Sequence, residues 1–181
     1  MVDMTEQKIL DAALKLFAEK GYAGATTRII AQEADVNELT LFRKFRTKKN
    51  LFYMVISQKV LKMVEDAEYV LKNLDDKFKD SHDFLKALIM DITRTAENHF
   101  EVINLMTRER EMILNASQNF IEEFINNLSV YMEKNVQNDE INGKVLLFSI
   151  LSFIYLLLLD QGRTFVDRKG AIDEFINILN I

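Results

Sequence analysis

Eight successive residues, Asn37 to Lys44, bring together side chains with complementary recognition chemistry. Thr40 offers a hydroxyl and a methyl, and Glu38 a carboxylate that can accept from the exocyclic amine of cytosine. Arg43 or Lys44 can reach guanine or a phosphate, while Leu39 and Phe42 can cover thymine methyl groups or sugars. Such a set reads an outside molecule by contact. Catalytic readings have no comparable set. Cysteine is absent, which removes thiolate and disulfide chemistry and suits a cytoplasmic protein. The two histidines, His82 and His99, stand too far apart for a helical zinc pair, and no glycine-rich phosphate loop occurs. The expectation is a protein that is no enzyme and needs no cofactor or metal.

A helix must present those eight residues, and the flanking sequence supplies its ends. Asn37 can cap it, Leu41 and Phe45 fall inward, and Glu38, Leu39, Thr40, Phe42, Arg43 and Lys44 are left outward or sideways. Upstream, Ile9, Ala12, Ala13, Leu16 and Phe17 recur at spacings of three and four, the pattern of a first helix. Asp3 with Glu6, or alternatively Thr5, can cap its start, and Gly21 can take the positive φ that ends it near Lys20. Thr26 stands at the N-cap of a second helix beginning Thr27-Arg28-Ile29, whose first-turn amides are free to face an anion. Ala34, Asp35 and Val36 make a break, and Thr47 caps a fourth helix. Two helices joined by a three- or four-residue turn form a helix-turn-helix, whose second helix enters the major groove of DNA.

Charge is distributed to match. Up to Phe52 there are nine basic and seven acidic side chains, a net of +2, against −5 for the chain, which leaves −7 for the remainder. No acid occurs between Leu39 and Val64, where Arg43, Lys44, Arg46, Lys48, Lys49, Lys59 and Lys62 are basic. An acidic body behind a basic reading head suppresses indiscriminate binding to nucleic acid and leaves phosphate attraction where it is useful.

The ordered set Ile9, Leu10, Ala12, Ala13, Leu16, Phe17, Gly21, Tyr22, Thr26, Thr27, Ile30, Ala31, Ala34, Val36, Leu41, Phe42, Phe45, Lys48 and Leu51 resembles the DNA-binding domain of the TetR (tetracycline repressor) family of transcriptional regulators. The resemblance covers the first quarter to third of the chain. It implies that Thr26, Thr27 and Arg28, and Lys48 with its backbone amide, clamp phosphates, and that Asn37 to Lys44 is the base-reading set. Three departures stand out. Asp35 replaces the family's Gly, a tolerable exchange because Asp enters left-handed backbone more readily than most residues. Phe42 replaces the usual Tyr and so lacks a phenolic phosphate contact, and Glu38 and Leu39 replace small or flexible residues.

Beyond Phe52 the chain reads as helix throughout, with no proline and no strand-length alternation. The predicted fold class is all-α, about nine helices: an N-terminal three-helix bundle with the helix-turn-helix over residues 1–47, then a helical effector-binding and dimerisation domain over 48–181. Helix four, about Lys48 to Leu71, links the two through Leu51, Val55, Leu61, Val64 and Val70. The fifth runs from Ser81 to Asn98 and the sixth from His99 to Leu114, interrupted in character by Arg108 to Glu111. Phe120, Ile121, Phe124, Ile125, Leu128, Tyr131 and Met132 mark a seventh, residues 141–161 an eighth, and Ile172, Phe175, Ile176 and Leu179 a ninth.

The eighth helix is apolar nearly all round from Val145 to Leu159, a run too short to span a bilayer and broken by Ser149 and Ser152. A helix apolar on every side must be covered on every side, and one small chain has too few partners to do so. A second copy solves this, which is also what the resemblance implies: helices eight and nine of two subunits pack together, with Leu147, Leu151, Ile154, Leu158, Ile172, Phe175 and Leu179 as interface candidates. The homodimer would carry two heads to a palindromic operator. Thirteen Phe and eight Met make the body adaptable to a small apolar effector. In relatives such pockets lie among helices four to eight, and the candidates here are Val64, Leu88, Ile92, Met106, Phe124, Phe148, Ser152 and Tyr155. The expected function is a homodimeric repressor of transcription; the alternative is a helical ligand carrier or protein-interaction module with a vestigial head.

Overall fold

The computed structural model describes residues 3–74, 77–78, 80–136, 142–160 and 167–179, with the backbone alone for 114–121. Among these, nine helices and no strand occur: α1 (Met4–Gly24), α2 (Thr27–Glu33), α3 (Glu38–Phe45), α4 (Lys48–Leu74), α5 (Ser81–Asn98), α6 (Phe100–Arg108), α7 (Arg110–Asn135), α8 (Gly143–Leu159) and α9 (Arg168–Leu179). The ends expected for the eighth helix, 141 and 161, lie outside the described residues.

Each of the first four helices starts on a side-chain cap. Asp3 Oδ1 accepts from the Glu6 amide at 2.7 Å, Thr26 Oγ1 from Ile29 at 3.3 Å, Asn37 Oδ1 from Leu39 at 2.8 Å and Thr47 Oγ1 from Asn50 at 3.0 Å. Each satisfies one amide that the helix itself leaves without a partner. Two non-glycine residues take positive φ at the turns: Asp35 at 54° between α2 and α3, and Arg46 at 64° after α3. Asp35 is the position where the family resemblance calls for glycine. Arg46 carried no such signal in the sequence. Gly21, at φ 72° and ψ 171°, leaves the helical region as expected and ends the long first run of α1, which resumes for a short turn to Gly24.

The described residues form two compact units, Met1–Lys62 with His99–Gln118, and Met63–Asn98 with Asn119–Ile181. The expected boundary after residue 47 is therefore not where the units part: α4 contributes residues to both, and α6 belongs with the head. The first unit has a core of Ile9, Phe17, Ile30, Leu41, Phe45, Leu51, Phe52 and Ile56, all essentially inaccessible to water. Phe17 and Phe52 meet edge to face at 5.1 Å between ring centroids, and Tyr22 meets Phe52 at 5.2 Å. These are the favoured arrangements of aromatic quadrupoles.

The expected sixth helix is cut at Glu109 (φ −110°, ψ 33°), and α7 starts at Arg110 instead of near the later apolar repeat. The break has local causes in the first unit. Arg108 Nη1 donates to the Ala18 carbonyl at 2.8 Å, and Glu109 Oε1 accepts from the Tyr22 amide at 2.8 Å. Along α4, Leu51, Val55 and Val64 are buried as expected, Val70 is partly buried, and Leu61 faces outward.

In the second unit, α5 packs on α8 and α9. The start of α8 lies against α7 so closely that a Cβ on Gly143 would stand 2.4 Å from the Ser129 carbonyl oxygen. The Gly143 amide donates to Glu133 Oε1 at 2.9 Å, which fixes that approach. Only glycine fits there, for lack of space rather than for its φ.

Candidate nucleic-acid interface

With Leu41 and Phe45 locked into the core, the period of 3.6 residues turns Leu39 and Arg43 to the opposite side of α3, flanked by Phe42 and Thr40. Leu39 is 53% exposed and Phe42 55%, and Asn37, Glu38 and Arg43 are exposed as well. Thr40 is partly buried. Thr26 and Arg28 are exposed at the start of α2. The Thr27 hydroxyl donates to Glu38 Oε1 at 2.6 Å, which joins the N-terminal ends of α2 and α3.

Two expected cations have partners inside the protein. Lys44 forms an ion pair with Asp3 and stands 3.7 Å from Glu6, so its ammonium lies against the start of α1 rather than on the outer face of α3. The Asp3 partner holds the Lys44 ammonium above its usual pKa, and Lys44 in turn holds the Asp3 carboxyl below its own. Lys48 Nζ donates to the Tyr22 carbonyl at 2.9 Å and lies 4.3 Å above the Tyr22 ring. That side chain therefore ties α4 to the end of α1, and what it leaves for a phosphate at the start of α4 is its backbone amide.

Arg46 and Lys49, absent from the expected set, are exposed beside Arg28 and Arg43 as basic residues of this region. The run of bases in the sequence contained them. Arg46 takes its positive φ directly after α3, where no neighbouring residue type foretold it. The exposed surface of α2, α3 and the start of α4 thus joins three capped helix starts, four exposed cations and an apolar pair on one short helix.

The body candidates divide differently from expectation. Leu147, Ile154, Leu158 and Ile172 are buried within the chain's own packing, so their side chains do not reach the surface of a single subunit. Leu151, Phe175 and Leu179 are partly buried, and Phe175 stacks on Phe153 at 4.2 Å. The exposed apolar face of α8 is instead Val145, Phe148, Leu156 and Leu159, with Ser152 among them, and Ile178 on α9 is 79% exposed. Phe148 and Ser152, expected to line an effector pocket, lie on that outward face. Of the other effector candidates, Val64 and Leu88 are buried, and Ile92, Phe124 and Tyr155 are partly buried in the second unit. Met106 is partly buried in the first. A cleft of about 230 Å³ in the second unit is lined by Met90, Thr93, Leu157 and Ile172 together with Lys86, Arg94, Glu97, Arg168 and Lys169. None of the effector candidates lines it. Two of its cations are paired, Lys86 with Asp173 and Arg168 with Glu97, each at 2.5 Å.

Residues 9–53 match the model of a family described as bacterial regulatory proteins, tetR family. The chain is 46% identical over 54 residues to the uncharacterized HTH-type transcriptional regulator YvkB of Bacillus subtilis, covering 30% of this chain and 29% of that protein. It is 34% identical over 64 residues to the HTH-type transcriptional repressor AcnR of Corynebacterium diphtheriae, covering 35% and 34%. These matches span about a third of either relative's length. The whole architecture is shared with a TetR-like transcriptional regulator from Rhodococcus sp. RHA1, at a TM-score of 0.70 and 16% identity over 97% of this chain and 92% of that one. The fatty acid degradation regulator FadR of Bacillus halodurans aligns at a TM-score of 0.68 and 16% identity, over 98% and 95%. At such identities the structural likeness establishes the fold alone. No helix among the described residues is long and apolar enough to cross a membrane.

Proposed function

We propose that this chain is a tetR-type, sequence-specific DNA-binding regulator of transcription acting as a repressor in the cytoplasm, a reading supported by the family match of residues 9–53 and by the partial likeness to YvkB and AcnR. The observation that carries this reading is α3 itself. A capped, eight-residue helix is anchored by Leu41 and Phe45 and offers Leu39, Phe42 and Arg43 to an outside partner, with exposed bases nearby. A helix of this kind fits the major groove, where base edges differ in hydrogen-bonding groups and in the thymine methyl. Thr26, Arg28 and the backbone amides of Thr27 and Lys48 take phosphates beside it, the Thr27 hydroxyl being engaged by Glu38. Thr40 and Glu38 contribute at the flanks of the reading face.

The regulator works as a homodimer joined through the outward faces of α8 and α9. Val145, Phe148, Ser152, Leu156 and Leu159 recur at spacings of three and four, so they form a continuous stripe along α8 that water would otherwise cover. Two-fold symmetry then supplies two heads to a palindromic operator with half-sites about one helical turn, some 34 Å, apart. A small apolar effector that binds one body conformation better than another lowers operator occupancy through that difference in affinity.

Fluorescence anisotropy with DNA from upstream of the protein's own gene, and enrichment from a random duplex pool, tests the reading. The expected outcome is a palindromic sequence bound at least a thousandfold more tightly than bulk DNA at physiological salt. Uniform, salt-driven binding to every sequence would overturn it.

A further inference from the structure

On the premise that α3 enters DNA as proposed above, we infer that this protein selects its operator chiefly by pyrimidine C5-methyl groups, read by Leu39 and Phe42. Partners inside the chain account for most of the polar candidates on the helix. Asn37 Oδ1 is held by the Leu39 amide, Glu38 by the Thr27 hydroxyl, and Lys44 by Asp3. Thr40 is partly covered. What the helix turns fully outward is Leu39 with Arg43, and Phe42 beside them. Leu39 and Phe42 are three residues apart and so neighbours on one face, each more than half exposed on a helix only eight residues long.

Neither side chain can donate or accept a hydrogen bond. In the major groove the only feature to which such groups respond is the thymine methyl, since every other distinguishing group is a donor or an acceptor. Phe42 is the sharper case, because without a phenolic oxygen its ring has no polar reason to stand in water. Arg43 supplies one polar contact, to the O6 and N7 acceptors of a guanine or to a phosphate. The operator half-site therefore holds thymines at two contacted positions. At those positions 5-methylcytosine imitates thymine in its methyl, so cytosine methylation changes affinity.

The test uses the full-length protein and the sequence it enriches from a random duplex pool. Each thymine of a half-site is replaced in turn by deoxyuridine, which removes one methyl and leaves base pairing intact. Affinity is expected to fall about fourfold at each of two positions, the effect of withdrawing one buried methyl from its contact, and to be unchanged elsewhere. Leu39→Ala should abolish the thymine preference at one of those positions and Phe42→Ala at the other, while Arg43→Ala keeps both. Cytosine placed at a contacted position should bind more weakly than 5-methylcytosine at the same place. Enrichment of a sequence whose affinity ignores every deoxyuridine would overturn the methyl reading and leave the regulator reading standing. Enrichment of no sequence would overturn both.

Discussion

The head and α8 bury apolar residues in opposite ways. In the head, the inward pattern written in α1, α2 and α3 coincides with the buried set: Ile9, Ala13, Phe17, Ile30, Leu41 and Phe45 are all inside, and the large apolar side chains these three helices expose are Met4, Leu39 and Phe42. In α8 nearly every residue is apolar, yet only one side is covered: Leu146, Leu147, Ile150, Ile154, Leu157 and Leu158 are buried while Val145, Phe148, Leu156 and Leu159 meet water. An amphipathic helix states which face goes in. A helix apolar all round leaves that to its neighbours. Under the proposed function, the surplus apolar surface would meet DNA in one case and a second subunit in the other.

Removing the anchor of α3 should have the largest effect. Phe45→Ala should cost about 3 to 5 kcal/mol of unfolding free energy by denaturant titration and abolish operator binding, because the cavity lies directly beneath the reading face. A loss below about 1 kcal/mol would show that the head tolerates a loose hub.

Within α8, adjacent residues should separate fold from assembly. Leu157→Ala should destabilise by about 2 to 4 kcal/mol with the oligomeric state unchanged, since that side chain is buried in the chain itself. Leu156→Lys, at 65% exposure, should leave the thermal midpoint of dilute protein nearly constant and shift sedimentation from dimer to monomer. If the two variants behaved alike, the division of α8 into covered and contacting faces would be wrong.

Gly143→Ala should cost about 1 to 3 kcal/mol, because its new methyl would meet the Ser129 carbonyl and one helix must move away. Hydrogen exchange should locate the loosening in α7 and α8 rather than in the head.

Smaller effects distinguish the cations of the head. Arg46→Ala or Lys49→Ala should weaken binding to all sequences alike and reduce the slope of log affinity against log salt by about 0.9 each, as loss of one phosphate contact requires. Lys48→Ala should instead lower the stability of the head, since its ammonium serves Tyr22.

The pair between Lys44 and Asp3 is the smallest lever. The Asp3 carboxyl is held below its ordinary pKa, so its contribution is complete above that ordinary value, near pH 4, and is lost as acid carries the medium through the lower folded value. Asp3→Asn should therefore lower the thermal midpoint slightly at pH 7, and the difference from the unmodified protein should vanish in strong acid. Raising salt should shrink it too, because the Asp3 carboxylate is exposed to solvent.

Helix starts, the inward residues of the head and the place of the helix-turn-helix were legible in the sequence. Caps act over two or three residues and periodicity over four, so the chain carries both signals locally, at Asp3, Thr26, Asn37 and Thr47 and in the pairs Leu41 and Phe45. The break at Glu109 was half legible. A cluster of four charges disturbed the apolar pattern, and its purpose appeared only once the Tyr22 amide, 87 residues away, stood within reach.

Tertiary structure alone decided the rest. Lys44 and Lys48 have the same composition and charge whether they meet DNA, Asp3 or the Tyr22 carbonyl, and a long flexible ammonium takes whichever acceptor packing brings near, 41 and 26 residues away in these cases. The covered face of α8 was undecided for a related reason. Hydrophobic burial is proportional to area and has no direction, so a helix apolar on every side is oriented only by the shape of what it packs against, here α5 and the close approach at Gly143.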